Sequence, residues 1–173
     1  QIITKKTEAV PKIENGNLIS DVDNDILKIV VVERHLATGN IGIGFVKGFG
    51  LKSGAIASST AHDSHNIIAV GTNDADIYAA IIRIINLGGG LSIVNKSKTV
   101  EELELPIAGL MSNKNMFYVK NKLDALNKSA NRLGCKLPSP FMTISFLALP
   151  VIPELKLTDK GLFDVNKFQF TEL

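Results

Sequence analysis

Histidine is the residue whose placement in this sequence says most about chemistry. The chain has three histidines, and two of them share the segment His62-Asp63-Ser64-His65. Imidazole and carboxylate groups are good ligands for zinc, manganese and iron, and a His-x-x-His pair can chelate an ion from a turn. The third histidine, His35, follows a different apolar run. The sequence therefore predicts a metal or substrate site built from His35, His62, Asp63 and His65.

A second interpretation of the same cluster is structural. A short aspartate accepts hydrogen bonds from nearby backbone N–H groups, and histidines donate to carbonyl groups. In that case Asp63, His62 and His65 would order their loop and bind nothing. Residue types alone leave both interpretations open.

Glycine alternates with bulky apolar side chains in residues 41–51, with glycines at Gly42, Gly44, Gly48 and Gly50. Side chains alternate across a strand, so one face of this segment would be bare backbone. Such a face usually marks the close approach of another backbone or of a ligand. The spacing fits neither a phosphate-binding P-loop nor the G-x-G-x-x-G fingerprint, because Lys47 stands where the third glycine would be.

Composition excludes several classes of function. A chain of 173 residues with a formal charge of +2 fits one domain without a basic nucleic-acid footprint. The single cysteine, Cys135, rules out an internal disulfide and favours the cytoplasm. The most apolar stretch, residues 141–152, is too short and too interrupted to span a membrane. We therefore expect neither a nucleic-acid nor a membrane partner.

Hydrophobic runs predict the strands that position these side chains. Segments rich in β-branched or apolar residues predict strands at 26–33, 41–51, 54–60, 66–71, 91–95 and 141–149. The pair Asn15-Gly16 predicts a hairpin turn near the N-terminus. After Pro150 we expect a polar tail.

Two segments have helical periodicity. Apolar residues spaced by three and four predict helices over residues 74–87, capped by Asp74, and over residues 115–133. Because strands and helices mix without a strict β-α-β repeat, we predict an α+β fold, a mixed β-sheet with packed helices.

Several segments, in order along about residues 20–170, resemble the C-terminal domain of adenine deaminases. They include both the glycine-rich strand and the histidine loop. The segments are residues 25–35, 38–40, 44–51, 54–58, 62–66, 70–74, 87–90, 105–112, 140–143 and 146–162. A resemblance of this extent is far more specific than a single short motif.

The resemblance implies a parent enzyme. Adenine deaminases are amidohydrolases that convert adenine and water into hypoxanthine and ammonia in purine salvage. They combine a small β domain, a (β/α)₈ barrel that holds manganese or iron, and a C-terminal domain. The barrel is marked by a His-x-His pair that this sequence lacks, and such a barrel needs about 250 residues. The resemblance therefore implies that residues 21–173 are the C-terminal domain without the barrel, and that residues 1–20 are a remnant of the small β domain.

The resemblance also implies partners. We expect this domain to support the active-site mouth or the assembly of a cytoplasmic homo-oligomer, and to be inactive alone. Its partners would be the barrel of its own parent chain and adenine as the parent's substrate. The alternative is an independent small metal-binding or hydrolase module that uses His35, His62, Asp63 and His65, with a divalent metal at His62 and His65.

Overall fold

A computed structural model describes residues 2–173 and has the predicted α+β architecture. The helices are α1 (Asp74–Asn86), α2 (Met116–Arg132) and α3 (Pro140–Leu147). The strands are β1 (Lys12–Glu14), β2 (Asn17–Ile19), β3 (Ile26–Val32), β4 (Ile41–Lys47), β5 (Ala55–Ser58), β6 (Ile67–Gly71), β7 (Gly90–Asn95), β8 (Lys98–Glu104), β9 (Leu155–Thr158), β10 (Gly161–Asp164) and β11 (Gln169–Phe170).

A six-stranded antiparallel sheet forms the centre of the domain. Its strand order is β4-β3-β6-β5-β7-β8, and β3 pairs with both β4 and β6. Two smaller sheets accompany it, the hairpin β1-β2 and the three strands β11-β10-β9. The predicted strands at 26–33, 54–60, 66–71 and 91–95 are confirmed, whereas β8 was not predicted. Its lysine- and glutamate-rich sequence suits an edge strand and lacks an apolar run.

Helix α1 covers one face of this sheet. Its inward side chains, Ile77, Ala80, Ile81 and Ile84, are buried against small and branched residues of the strands. The N-cap is Asn73, whose side chain accepts the N–H of Asp76, so the prediction that Asp74 caps the helix was wrong by one residue.

The opposite face of the central sheet packs against α2, α3 and the three-stranded sheet β11-β10-β9. The prediction of a strand over 141–149 was wrong, because Pro140 begins helix α3 there. Proline suits the first turn of a helix, and a short apolar run that is buried on several sides has no period to distinguish helix from strand. The expected polar tail instead forms β9, β10 and β11.

The glycine-rich strand β4 packs against β9, the first strand of the three-stranded sheet. A Cβ atom on Gly42 would overlap the carbonyl oxygen of Thr158, and one on Gly44 would lie 3.4 Å from the Leu157 side chain. The strand ends at Lys47, earlier than predicted, and Gly48 and Gly50 follow with positive φ angles of 110° and 76°. The neighbour of the bare strand face is therefore another strand, β9.

Residues near the N-terminus contact the rest of the domain. The Asn15-Gly16 turn joins β1 to β2, as predicted. The Thr4 N–H donates to Pro153 O, and the Nζ of buried Lys156 donates to Ile2 O over 3.1 Å. The assignment of residues 1–20 to a preceding domain stays a prediction, and Gln1 lies outside the described residues.

The contact at Gly42 leads to a stability test. Gly42→Ala should lower the free energy of unfolding by about 1–3 kcal/mol, because the new methyl group collides with backbone and not with a movable side chain. Gly44→Ala on the same strand face is the matched control and should change it by less than about 1 kcal/mol. Urea denaturation measures both. Equal losses for the two variants would contradict close packing of β9 at Gly42.

Candidate functional site

The predicted site residues meet at one end of the central sheet. Antiparallel pairing places the end of β3 beside the start of β6, since Val32 lies opposite Ile67. The loop after β3 and the loop before β6 are therefore neighbours, as the sequence suggested. His35 Nε2 lies 2.8 Å from Ser64 O. We call this region, formed by residues 33–40, 59–66 and 105–111, the histidine end.

His62 and His65 lie close together without sharing a hydrogen bond. Their ring centroids are 6.1 Å apart at 71°, and His62 also packs against Phe146 with centroids 4.7 Å apart. The backbone of the loop is fixed, because His62 N–H donates to Ser145 O over 2.9 Å. His65 Nδ1 is buried without a hydrogen-bond partner, while Asp63 is exposed.

Arg34 is the functional candidate that sequence reasoning missed. Its Nε donates to His65 O over 2.5 Å and its Nη2 donates to Ala108 O over 2.8 Å. The guanidinium thus joins the histidine loop to the segment after β8, and burial lowers its pKa. Gly109 leaves room for it, since a Cβ there would lie 2.6 Å from Nη1. The only signal in the sequence was its position beside His35.

A hydroxyl group holds the segment after β8 from the other side. Ser59 Oγ donates to Gly109 O over 2.5 Å and accepts the Gly90 N–H over 2.8 Å. Ser59 is fully buried, so both groups are satisfied away from water. The segment after β8 is therefore anchored, through Ser59, to the C-terminal end of β5 and the first residue of β7.

Carboxylates organise the remaining turns. Glu33 accepts the backbone N–H groups of His35, Leu36 and Thr38, and these bonds, with the one from Thr38 first, lower its pKa to about 2. Asp159, just after β9, accepts the side-chain amides of Asn40 and Asn66. The histidine end is therefore a set of turns ordered by Glu33 and Asp159, and not by Asp63, to which the structural interpretation gave this role.

Among residues 2–173, no three His, Cys, Asp or Glu side chains are grouped as a metal ion would require. Cys135 is buried at a helix end, and burial raises its pKa. A divalent ion held by His62 and His65 alone stays a prediction.

The burial of His65 predicts a pH dependence. Burial, followed by the nearby His62 and Arg34, lowers its pKa below the usual 6.5. The unfolded chain then binds the proton more readily, so the folding free energy contributed here is complete above about pH 6.5 and declines as the pH falls toward the lowered value. Urea unfolding at about pH 7.5 and about pH 5.5 should show a smaller acid loss for His65→Gln than for the unchanged chain. The exposed His35→Gln is the control, and an identical acid loss in all three proteins would contradict the assignment.

No helix among residues 2–173 has both the length and the apolar character needed to cross a membrane.

Comparison with known proteins identifies the family. The model of the adenine deaminase C-terminal domain matches residues 1–169. An adenine deaminase of Dehalococcoides mccartyi is 56% identical over 169 residues, which are 98% of this chain and 30% of the relative. Those of Desulfatibacillum aliphaticivorans and Methanosarcina acetivorans are 56% and 52% identical over 173 residues, the whole of this chain and 30% and 31% of the relatives.

The chain thus spans about 30% of the length of these relatives. It belongs to the adenine deaminase family, as the C-terminal domain.

Proposed function

We propose that this chain is a non-catalytic domain of an enzyme that hydrolyses adenine to hypoxanthine and ammonia. The observation that carries the proposal is identity above 50% across the whole chain to proteins named adenine deaminase, of which it covers 30%. The parent's manganese or iron would be held by the remaining part of that chain. A cytoplasmic homo-oligomer acting in purine salvage is part of the same proposal.

Within that enzyme, the histidine end would shape the mouth of the active site. Its backbone is fixed by Arg34, Ser59 and Glu33, while Asp63 and Ser64 are exposed at its surface. Fixed loops with exposed polar tips can contact a neighbouring active site without reorganising. The domain would then contribute to activity by positioning these loops, and the charge of Asp63, beside the active site.

The second candidate is an independent metal-binding or hydrolase module. The buried, unpartnered Nδ1 of half-buried His65 favours it, because a ligand would satisfy that atom. The position of His35 counts against this second candidate, since its Nε2 already contacts Ser64 O and is not free to bind a metal ion.

Adenine turnover separates the two candidates. The full-length parent enzyme should release ammonia from adenine in the presence of manganese. Residues 1–173 alone should release no more than a buffer blank, because the ligands that would activate water lie elsewhere. Hydrolysis by this chain alone that rises with added manganese would establish the independent module instead.

Substitution in the full-length parent tests the role at the mouth. His62→Ala should lower kcat/KM for adenine about 10-fold while metal content stays the same, because the ring positions the loop and holds no catalytic ion. Lys128→Ala, on the exposed face of α2, is the control and should leave kcat/KM unchanged. Unchanged activity, metal content and oligomer size in His62→Ala would contradict this role.

A further inference from the structure

Arg34 is a fixed cation that forms no ion pair with an acid of residues 2–173. Two carbonyl oxygens hold its Nε and Nη2, and neither carries a full negative charge. The ion pairs found among residues 2–173 involve Lys28, Arg83, Lys120 and Lys122 but not Arg34. Its Nη1 has no acceptor in the described part of the chain. A guanidinium fixed in this way is suited to accept a carboxylate.

Of the acids in and beside the histidine end, Glu33 and Asp159 already accept other hydrogen bonds. Glu33 accepts three backbone N–H groups of its own turn, and Asp159 accepts two side-chain amides. Asp63 is exposed and forms no ion pair with Arg34 within the described residues. Within residues 2–173 no carboxylate pairs with Arg34, so a carboxylate of the remaining parent chain would find its Nη1 free.

Exposed apolar residues lie close in sequence to Arg34 and to the carbonyl group that it binds. Leu36, two residues after Arg34, is 79% exposed, and Ile107 and Met111 are 46% and 58% exposed. The last two flank the Ala108 carbonyl that Arg34 binds, and they form reciprocal backbone hydrogen bonds of 3.1 Å. A fixed arginine on turns that also carry exposed apolar residues has the composition typical of an interface.

We infer that Arg34 is the anchor of the contact between this domain and the preceding part of its parent chain, which supplies a carboxylate side chain. The occupant follows from length, since about 70% of each relative lies outside the matched region. A symmetric contact with a second copy is less suitable. It would bring a second positively charged Arg34 to the same surface, and the acid available there would be the exposed Asp63. The inference rests on the proposed place of this domain in a longer chain, and not on the reaction that chain catalyses.

Arginine labelling of the full-length parent enzyme tests the contact. Phenylglyoxal should modify Arg34 at least about 10-fold more slowly than Arg132, which is exposed on α2, because Nε and Nη2 are already hydrogen-bonded and a docked carboxylate covers Nη1. The part of this protection that is due to docking is the part that a substitution at the contact removes. Leu36→Glu should increase the labelling rate of Arg34 several-fold. Leu36 is itself mostly exposed, so the substitution acts on docking and leaves the domain's own packing intact.

Two controls make the result specific. Ile85→Glu places the same charge on an exposed apolar residue of α1 and should leave Arg34 labelling unchanged. Leu36→Lys should increase labelling far less than Leu36→Glu, because an acidic partner repels only the glutamate. Equal effects of Leu36→Glu and Leu36→Lys on the labelling rate would contradict the inference that the partner of Arg34 is a carboxylate. An effect of Ile85→Glu alone would place the contact on α1.

The labelling result is independent of catalysis. Arg34 that reacts as fast as Arg132 in the unsubstituted enzyme would overturn the contact even if that enzyme hydrolyses adenine. Conversely, a full-length enzyme that protects Arg34 but does not deaminate adenine would refute the proposed function and leave the contact standing.

Discussion

The burial of the central sheet on both faces is the constraint on which the rest of the structure depends. Helix α1 covers one face and α2, α3 and β9 cover the other, so every residue of β5 and β6 is buried. A polar side chain has little place on such a strand unless it is fully hydrogen-bonded. Polar and ionisable groups are therefore concentrated where strands end, and the antiparallel order brings the end of β3 and the start of β6 to the same place.

Close packing of β9 connects this constraint to the histidine end. The bare faces of Gly42 and Gly44 let β9 approach β4, and β9 then ends next to Asn40 and Asn66, which donate to Asp159. A larger residue at Gly42 would displace β9, and with it the Asp159 carboxylate that follows this strand. The glycines thus affect the site through packing at a distance, although they contact no histidine.

The sequence was sufficient for features that a local pattern determines. The runs at β3, β5, β6 and β7 and the period of α1 and α2 predicted the central sheet and two helices, and the Asn15-Gly16 turn was correct. The sequence was insufficient for α3, since its apolar side chains are buried on several sides and no face is distinguished. β8 and the strands after Pro150 gain their stability from neighbouring strands, which no single segment reveals.

The site shows the same division. The proximity of His35 to the loop of His62 and His65 was predictable, because both flank strands that pair. Arg34 was not, since its partners are carbonyl oxygens 31 and 74 residues away along the chain, and backbone groups leave no signature in a sequence.

The role of Arg34 also bears on what the histidines can do. By holding His65 O and Ala108 O together, the guanidinium fixes the backbone on which His65 is mounted, and a positive charge close to an imidazole opposes its protonation. A neutral imidazole with a buried, unpartnered nitrogen can accept a hydrogen bond. Burial and the nearby guanidinium both favour the neutral form of His65, and Arg34 itself forms no ion pair within residues 2–173. Both properties are consistent with the interdomain contact inferred for Arg34, since neither the imidazole nor the guanidinium is engaged by an acidic side chain among these residues.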